Sequence, residues 1–153
     1  MLCNRDLLRN EEKSIHHLVA VCDKHPSYCY GHYLLGEEYL HRGDASSALQ
    51  SFQNALREDD SDYRVWLGLG DCHLLRKDNR TAAAHYCQAL TIFPSCSNAY
   101  CRLARAWIQA GNLENAHQTV NKGLSNDKNC MGVSVVRLFD LVIAPQSGAI
   151  EEK

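Results

Sequence analysis

A pattern of large and small side chains returns every 34 positions along this chain, and few folds can accommodate it. It is clearest in residues 63–94, YRVWLGLGDCHLLRKDNRTAAAHYCQALTIFP. Trp66, Leu69, Gly70 and His73 fall at i, i+3, i+4 and i+7, which is one face of a helix. Ala82, Tyr86, Ala89 and Leu90 share a face of a second helix, beyond a polar turn. A shift of 34 backwards reaches Leu35, Gly36 and Tyr39, then Ala48 and Phe52; forwards it reaches Tyr100, Leu103, Ala104 and Trp107, then Ala116 and Val120. A glycine inside a helix costs about 1 kcal/mol against alanine, so Gly70 is expected where another backbone comes close. The expected neighbour is the second helix of the same pair, with Trp66 as a core anchor.

The letters Trp66-x2-Leu69-Gly70-x2-His73, Ala82-x3-Tyr86 and Pro94 resemble the tetratricopeptide repeat, a helix pair of 34 residues. His73 stands where the family has another aromatic residue. The resemblance implies an all-α chain, an α-solenoid of antiparallel helix pairs forming a right-handed superhelix. It also implies a concave side lined by the first helix of each pair.

The boundaries follow from the register. Residues 29–62, 63–96 and 97–130 form three repeats. His32 takes the place of Trp66 in the first, and Asp60 the place of the closing proline. Gly43 is expected to end one helix and Asp44 to cap the next, and Gly111-Asn112 stands at the turn of the third repeat. Lys77 occupies the matching glycine position, so a less sharp turn is expected there. Residues 1–28 read as a lead-in and a half-repeat helix over about 11–24, with Ser14, Leu18 and Val21-Cys22 at the packing positions. Residues 131–144 read as a C-terminal capping or partner helix, with an apolar arc on 131–143, and 145–153 as a flexible tail.

Charge and composition exclude several classes. Sixteen basic and eighteen acidic residues leave a formal net charge of -2, so no overall positive field favours nucleic acid or an anionic membrane. No run of 18 apolar residues is present, and the opening MLCNRDLLRNEEK lacks a signal-peptide core. Cytoplasm or nucleus is the expected location. The eight cysteines are irregularly spaced and are expected to be reduced thiols, mostly buried and used as small apolar residues. No phosphate loop, HExxH or G-x-S-x-G appears, and neither a catalytic role nor a cofactor is expected.

The resemblance also implies which residues face a partner: Tyr30, Tyr33, Leu34, Glu37 and Leu40 of the first repeat, Arg64, Leu67, Asp71, Leu74 and Leu75 of the second, and Asn98, Arg102 and Arg105 of the third. Such a wall suits a partner's amphipathic helix or extended segment with apolar anchors. Family members that grip a terminal carboxylate do so from places held here by Tyr33, Glu37, Gly68, Asn98 and Arg102. Only Arg102 has the needed charge and Glu37 would repel the ligand, so a carboxylate clamp is not expected. The expected function is a non-catalytic scaffold that holds a protein partner within a multiprotein complex. Self-association through the terminal helices is left open. The alternative is a metal- or redox-responsive adaptor built on Cys22, His25, Cys29 and His32, four soft ligands in eleven residues. That cluster requires Cys22 and His32 to turn away from packing positions.

Overall fold

The structure, a computed structural model, describes residues 3–126, with side chains from residue 12 onward. The helix expected over 131–143 and the tail over 145–153 lie outside the described residues. Every described element is a helix: α1 (Cys3–Lys24), α2 (Cys29–His41), α3 (Ala45–Glu58), α4 (Tyr63–Leu75), α5 (Asn79–Ile92), α6 (Ser97–Gln109) and α7 (Leu113–Asn126). The first residues of α2, α4 and α6 are each 34 apart, as are those of α3, α5 and α7. The helix expected from about residue 11 begins at Cys3 instead. The preceding stretch, rich in Leu, Arg and Glu and free of Gly and Pro, consists of helix formers that prolong α1 ahead of the repeat register.

The turn closing each first helix uses one set of hydrogen bonds. The Gly43 N–H donates to the Leu40 carbonyl (2.9 Å) and the Asp44 N–H to Tyr39 (2.9 Å). Lys77 to Leu74 (3.0 Å) with Asp78 to His73 (2.9 Å), and Gly111 to Ile108 (3.0 Å) with Asn112 to Trp107 (2.9 Å), repeat it. This is the left-handed helix terminus that satisfies orphan carbonyls. Lys77 adopts it with φ 61°, beside 80° for Gly43 and 75° for Gly111. The less sharp turn expected at Lys77 is therefore corrected, because closing those carbonyls requires the same backbone whatever the side chain.

Two units are described in turn, residues up to Asp78 and residues from Asn79. In the first, α1 packs on α2 through Ile15, Cys22 and Leu35, with Leu18, Val19 and Tyr39 around them. The core of α2, α3 and α4 centres on Phe52, which has no exposed surface, with Ala48, Ala55, Val65, Leu69 and Cys72. Two glycines make room for its ring. A Cβ on Gly36 would stand 2.6 Å from the ring, and one on Gly68 2.4 Å, both far inside normal contact. At Gly36, the equivalent of Gly70 in the first repeat, the close approach thus involves a side chain of the second helix, Phe52, and not its backbone. Asp44 caps α3, accepting from the Ser46 and Ser47 amides (3.2 and 3.1 Å) and the Ser47 hydroxyl (2.6 Å).

In the second unit, α6 packs against α5 and against α7. Ala104 and Val120 meet there with Tyr100, Cys101 and Leu124 packed around them. Asn112 caps α7 as Asp44 caps α3, its Oδ1 accepting from the Asn115 amide (3.1 Å). The Asn126 Nδ2 ties the end of α7 back to the Pro94 carbonyl (3.2 Å) and the Tyr100 hydroxyl (3.1 Å).

Candidate functional site

In α2 and α4 a ring near the start of the helix addresses the loop behind it. The Trp66 Nε1 donates to the Asp60 carbonyl at 3.0 Å, six residues back. His32, at the same repeat position, places Nε2 2.9 Å from the Pro26 carbonyl, also six residues back. A carbonyl only accepts, so Nε2 carries the proton and His32 serves as a small ring with an N–H. Trp66 is half-buried and packs at the edge of the core that centres on Phe52, while its N–H holds the loop.

This geometry bears on the proposed metal ligands. His32 is buried and engaged with Pro26, and Cys22 is buried against α2, where burial pushes its thiol up. His25 is exposed and Cys29 half-buried. Among the described residues no group of three or more His, Cys, Asp or Glu side chains could hold an ion. The metal- and redox-responsive alternative gains no support. The six cysteines whose side chains are described are all free; Cys22, Cys72 and Cys96 are buried and Cys87 is exposed. Burial, then the charge of Glu37, pushes the Cys72 thiol up to about 12, as befits a packing residue.

On α2 and α4 the register positions form an aromatic and charged face. Tyr30 and Tyr33 stack with centroids 5.8 Å apart and planes at 26°. Tyr28 meets Tyr30 edge-on at 6.3 Å, and Tyr33 leans on Phe52 at 6.2 Å. The Arg64 guanidinium lies 5.5 Å from the Tyr30 centroid and 5.2 Å from that of Tyr33. It also grips Asp62, from Nε to Oδ1 (2.9 Å) and from Nη2 to Oδ2 (2.8 Å). Those bonds hold the arginine's proton still more firmly. Asp62 meanwhile caps α4, accepting from the Arg64 amide at 3.0 Å. Burial, then Glu37, pushes the Tyr33 hydroxyl up, with Arg64 opposing.

Exposure sorts the remaining expected residues. Tyr30 is 40% exposed and Leu75 55%, whereas Leu67 is 6% exposed. Leu67 therefore belongs to the interior, not to a free wall. Leu34, Glu37, Leu40, Asp71 and Leu74 are half-buried and Arg64 is exposed. On α6, Asn98 and Arg105 are exposed, while Arg102 is half-buried with its Nε 3.3 Å from Asn98 Oδ1. Gly68, read from the register as a lining position, is instead required by Phe52. A second glycine two residues before Gly70 in one helix was the available signal.

The second unit also holds a cleft of about 350 Å³ walled by α5, α6 and α7, with Leu90, Tyr100, Trp107, Gln118 and Lys122 on its sides. Cys87 lines it at its open side, and the surrounding walls push its thiol up, with Lys122 opposing. Leu90, Tyr100, Leu103 and Trp107 are packing positions of the repeat pattern, but the pattern does not show that packing leaves a cleft among them.

Comparison with known proteins agrees with these geometries. Residues 33–95 match a family model described as tetratricopeptide repeat, and residues 73–130 match a second model of the same description. A stretch of 76 residues is 36% identical to the cell division cycle protein 27 homolog of Caenorhabditis elegans. It makes up 50% of this chain and 10% of that protein, so the chain corresponds to a small part of its relative. A crystal structure of MamA superposes with a TM-score of 0.76 at 15% identity, covering 91% of this chain and 84% of that one. Another crystal structure of MamA protein gives 0.73 at 18% identity, over 77% and 64%. At such identities the likeness concerns the all-α fold alone. Helices, caps and turn bonds that come back every 34 residues are the physical content of both family matches, and this chain belongs to the tetratricopeptide-repeat family.

Proposed function

We propose that the chain is a non-catalytic protein-interaction module whose three repeats, residues 29–62, 63–96 and 97–130, hold a peptide segment or helix of a protein partner. On this proposal it works within a multiprotein complex, in the cytoplasm or nucleus. Repeats of this family commonly mediate protein–protein interaction and complex assembly, and scaffolds of the family are generally non-catalytic. No helix among the described residues is long and apolar enough to cross a membrane.

The observation that carries the proposal is the face of α2 and α4. Tyr30 and Leu75 leave 40% and 55% of their surface in solvent. An exposed apolar patch rimmed by charge is a common mark of a docking surface. Leu34, Leu40 and Leu74 add apolar area and Arg64 and Asp71 the rim; in the second unit, Asn98, Arg102 and Arg105 hold the matching repeat positions of α6.

Affinity capture with mass spectrometry, on the wild type and on the double variant Tyr30→Ala, Leu75→Ala, tests this. Proteins retained by the wild type and lost from a variant of unchanged circular dichroism support the module. Identical capture by both, or retention of nothing by either, overturns it.

A further inference from the structure

We infer that the α2–α4 face selects a partner segment in which an arginine or lysine stands beside a large apolar residue, with Glu37 receiving the cation. The inference rests on the proposed function and names the chemistry of the occupant.

The charges on this face are unequally engaged. Arg64 is the cation nearest the tyrosines, and it is taken: Asp62 accepts from Nε and Nη2, and the guanidinium lies over both the Tyr30 and Tyr33 rings. A carboxylate on a partner would have to compete with Asp62 for it. Glu37 is in the opposite position. It stands one turn beyond Tyr33 and two beyond Tyr30 on the same side of α2, half-buried, and no cation pairs with it among the described residues. Its negative field reaches the Tyr33 hydroxyl and the Cys72 thiol, both of which it pushes up. A half-buried carboxylate without a counter-ion attracts a cation and repels phosphate and carboxylate alike. The apolar half of the partner is set by Tyr30, whose ring is 40% exposed beside Tyr28 at 47%. A basic residue separated by one or two helical turns from an aliphatic or aromatic one matches that spacing.

The test is selection from a phage-displayed library of random dodecapeptides on the intact chain, repeated with Glu37→Gln, Glu37→Arg and Tyr30→Ala. Circular dichroism serves as the check on folding. Wild-type selection is expected to enrich peptides that pair Arg or Lys with a large apolar residue. Their affinity should fall about tenfold on Glu37→Gln, and Glu37→Arg should enrich acidic peptides instead. Peptides with no basic bias, or the same peptides from wild type and Glu37→Arg, overturn the inference. If selected peptides depend on Tyr30 but are indifferent to Glu37, this inference falls and the interaction module stands. If no peptide is enriched, both fall.

Discussion

Lys77 holds a backbone conformation, φ 61°, that costs an L-residue roughly 1–2 kcal/mol and a glycine almost nothing. The two equivalent turns use Gly43 and Gly111. Lys77→Gly is therefore expected to stabilise the chain by about 1 kcal/mol, part of the relief being offset by the freer unfolded glycine. Urea unfolding measures it, with an unchanged slope and a raised midpoint. His32 calls for a different comparison. His32→Phe keeps a flat ring but orphans the Pro26 carbonyl, and should cost about 1 kcal/mol. His32→Trp supplies the N–H that Trp66 uses on Asp60, and should cost less than the phenylalanine variant. Equal losses in the two variants would mean that ring packing, not the hydrogen bond, explains the residue.

Between elements the decisive contact is one ring against two helices. Phe52 leaves α3 and is received by Gly36 of α2 and Gly68 of α4. Gly68→Ala places a methyl 2.4 Å from the ring and is expected to destabilise by about 1–3 kcal/mol, despite the better helix propensity of alanine. Phe52→Ala should cost about 3–5 kcal/mol. Both are read from thermal or urea unfolding. The cap of α3 adds a dependence on pH. Hydrogen bonds from Ser47 lower the Asp44 carboxyl below its ordinary value of 3.8. A lowered folded-state value contributes stability that is present above the unfolded value and lost as pH falls through the folded one. The stability difference between wild type and Asp44→Ala should thus be constant near neutrality and shrink below about pH 4.

For the molecule as a whole, thiol chemistry reports which parts of the pattern are closed. Cys72 is fully buried and its thiol is pushed up to about 12, so almost no thiolate is present near neutrality. Alkylation mapped by mass spectrometry should spare Cys72 in the native state and label it once urea returns its value to about 8.5. Labelling of native Cys72 would contradict the packed core of α2, α3 and α4. The candidate face belongs to the same scale, because it consists of what packing leaves over. Repeat register named Tyr30, Tyr33, Glu37 and Arg64 for it. It named Leu67 equally, since residues three apart on a helix are neighbours whether the surface they share is open or closed.

Within the repeats, helix positions and the turns at Gly43 and Gly111 were legible in the residues alone, because they depend on contacts within a few positions and on a spacing that returns every 34 residues, whereas the start of α1 and the turn at Lys77 were not. Asp44, Gly43 and Gly111 state their roles locally. Tertiary structure alone decided that Gly68 is a socket for Phe52, that Leu67 is covered, that Arg64 is held by Asp62, and that Glu37 is left without a cation among the described residues. Each of these depends on which side chains from other helices or from the preceding turn arrive at a point in space. A one-dimensional pattern carries the face a residue occupies, but not the identity or the charge of what meets it there.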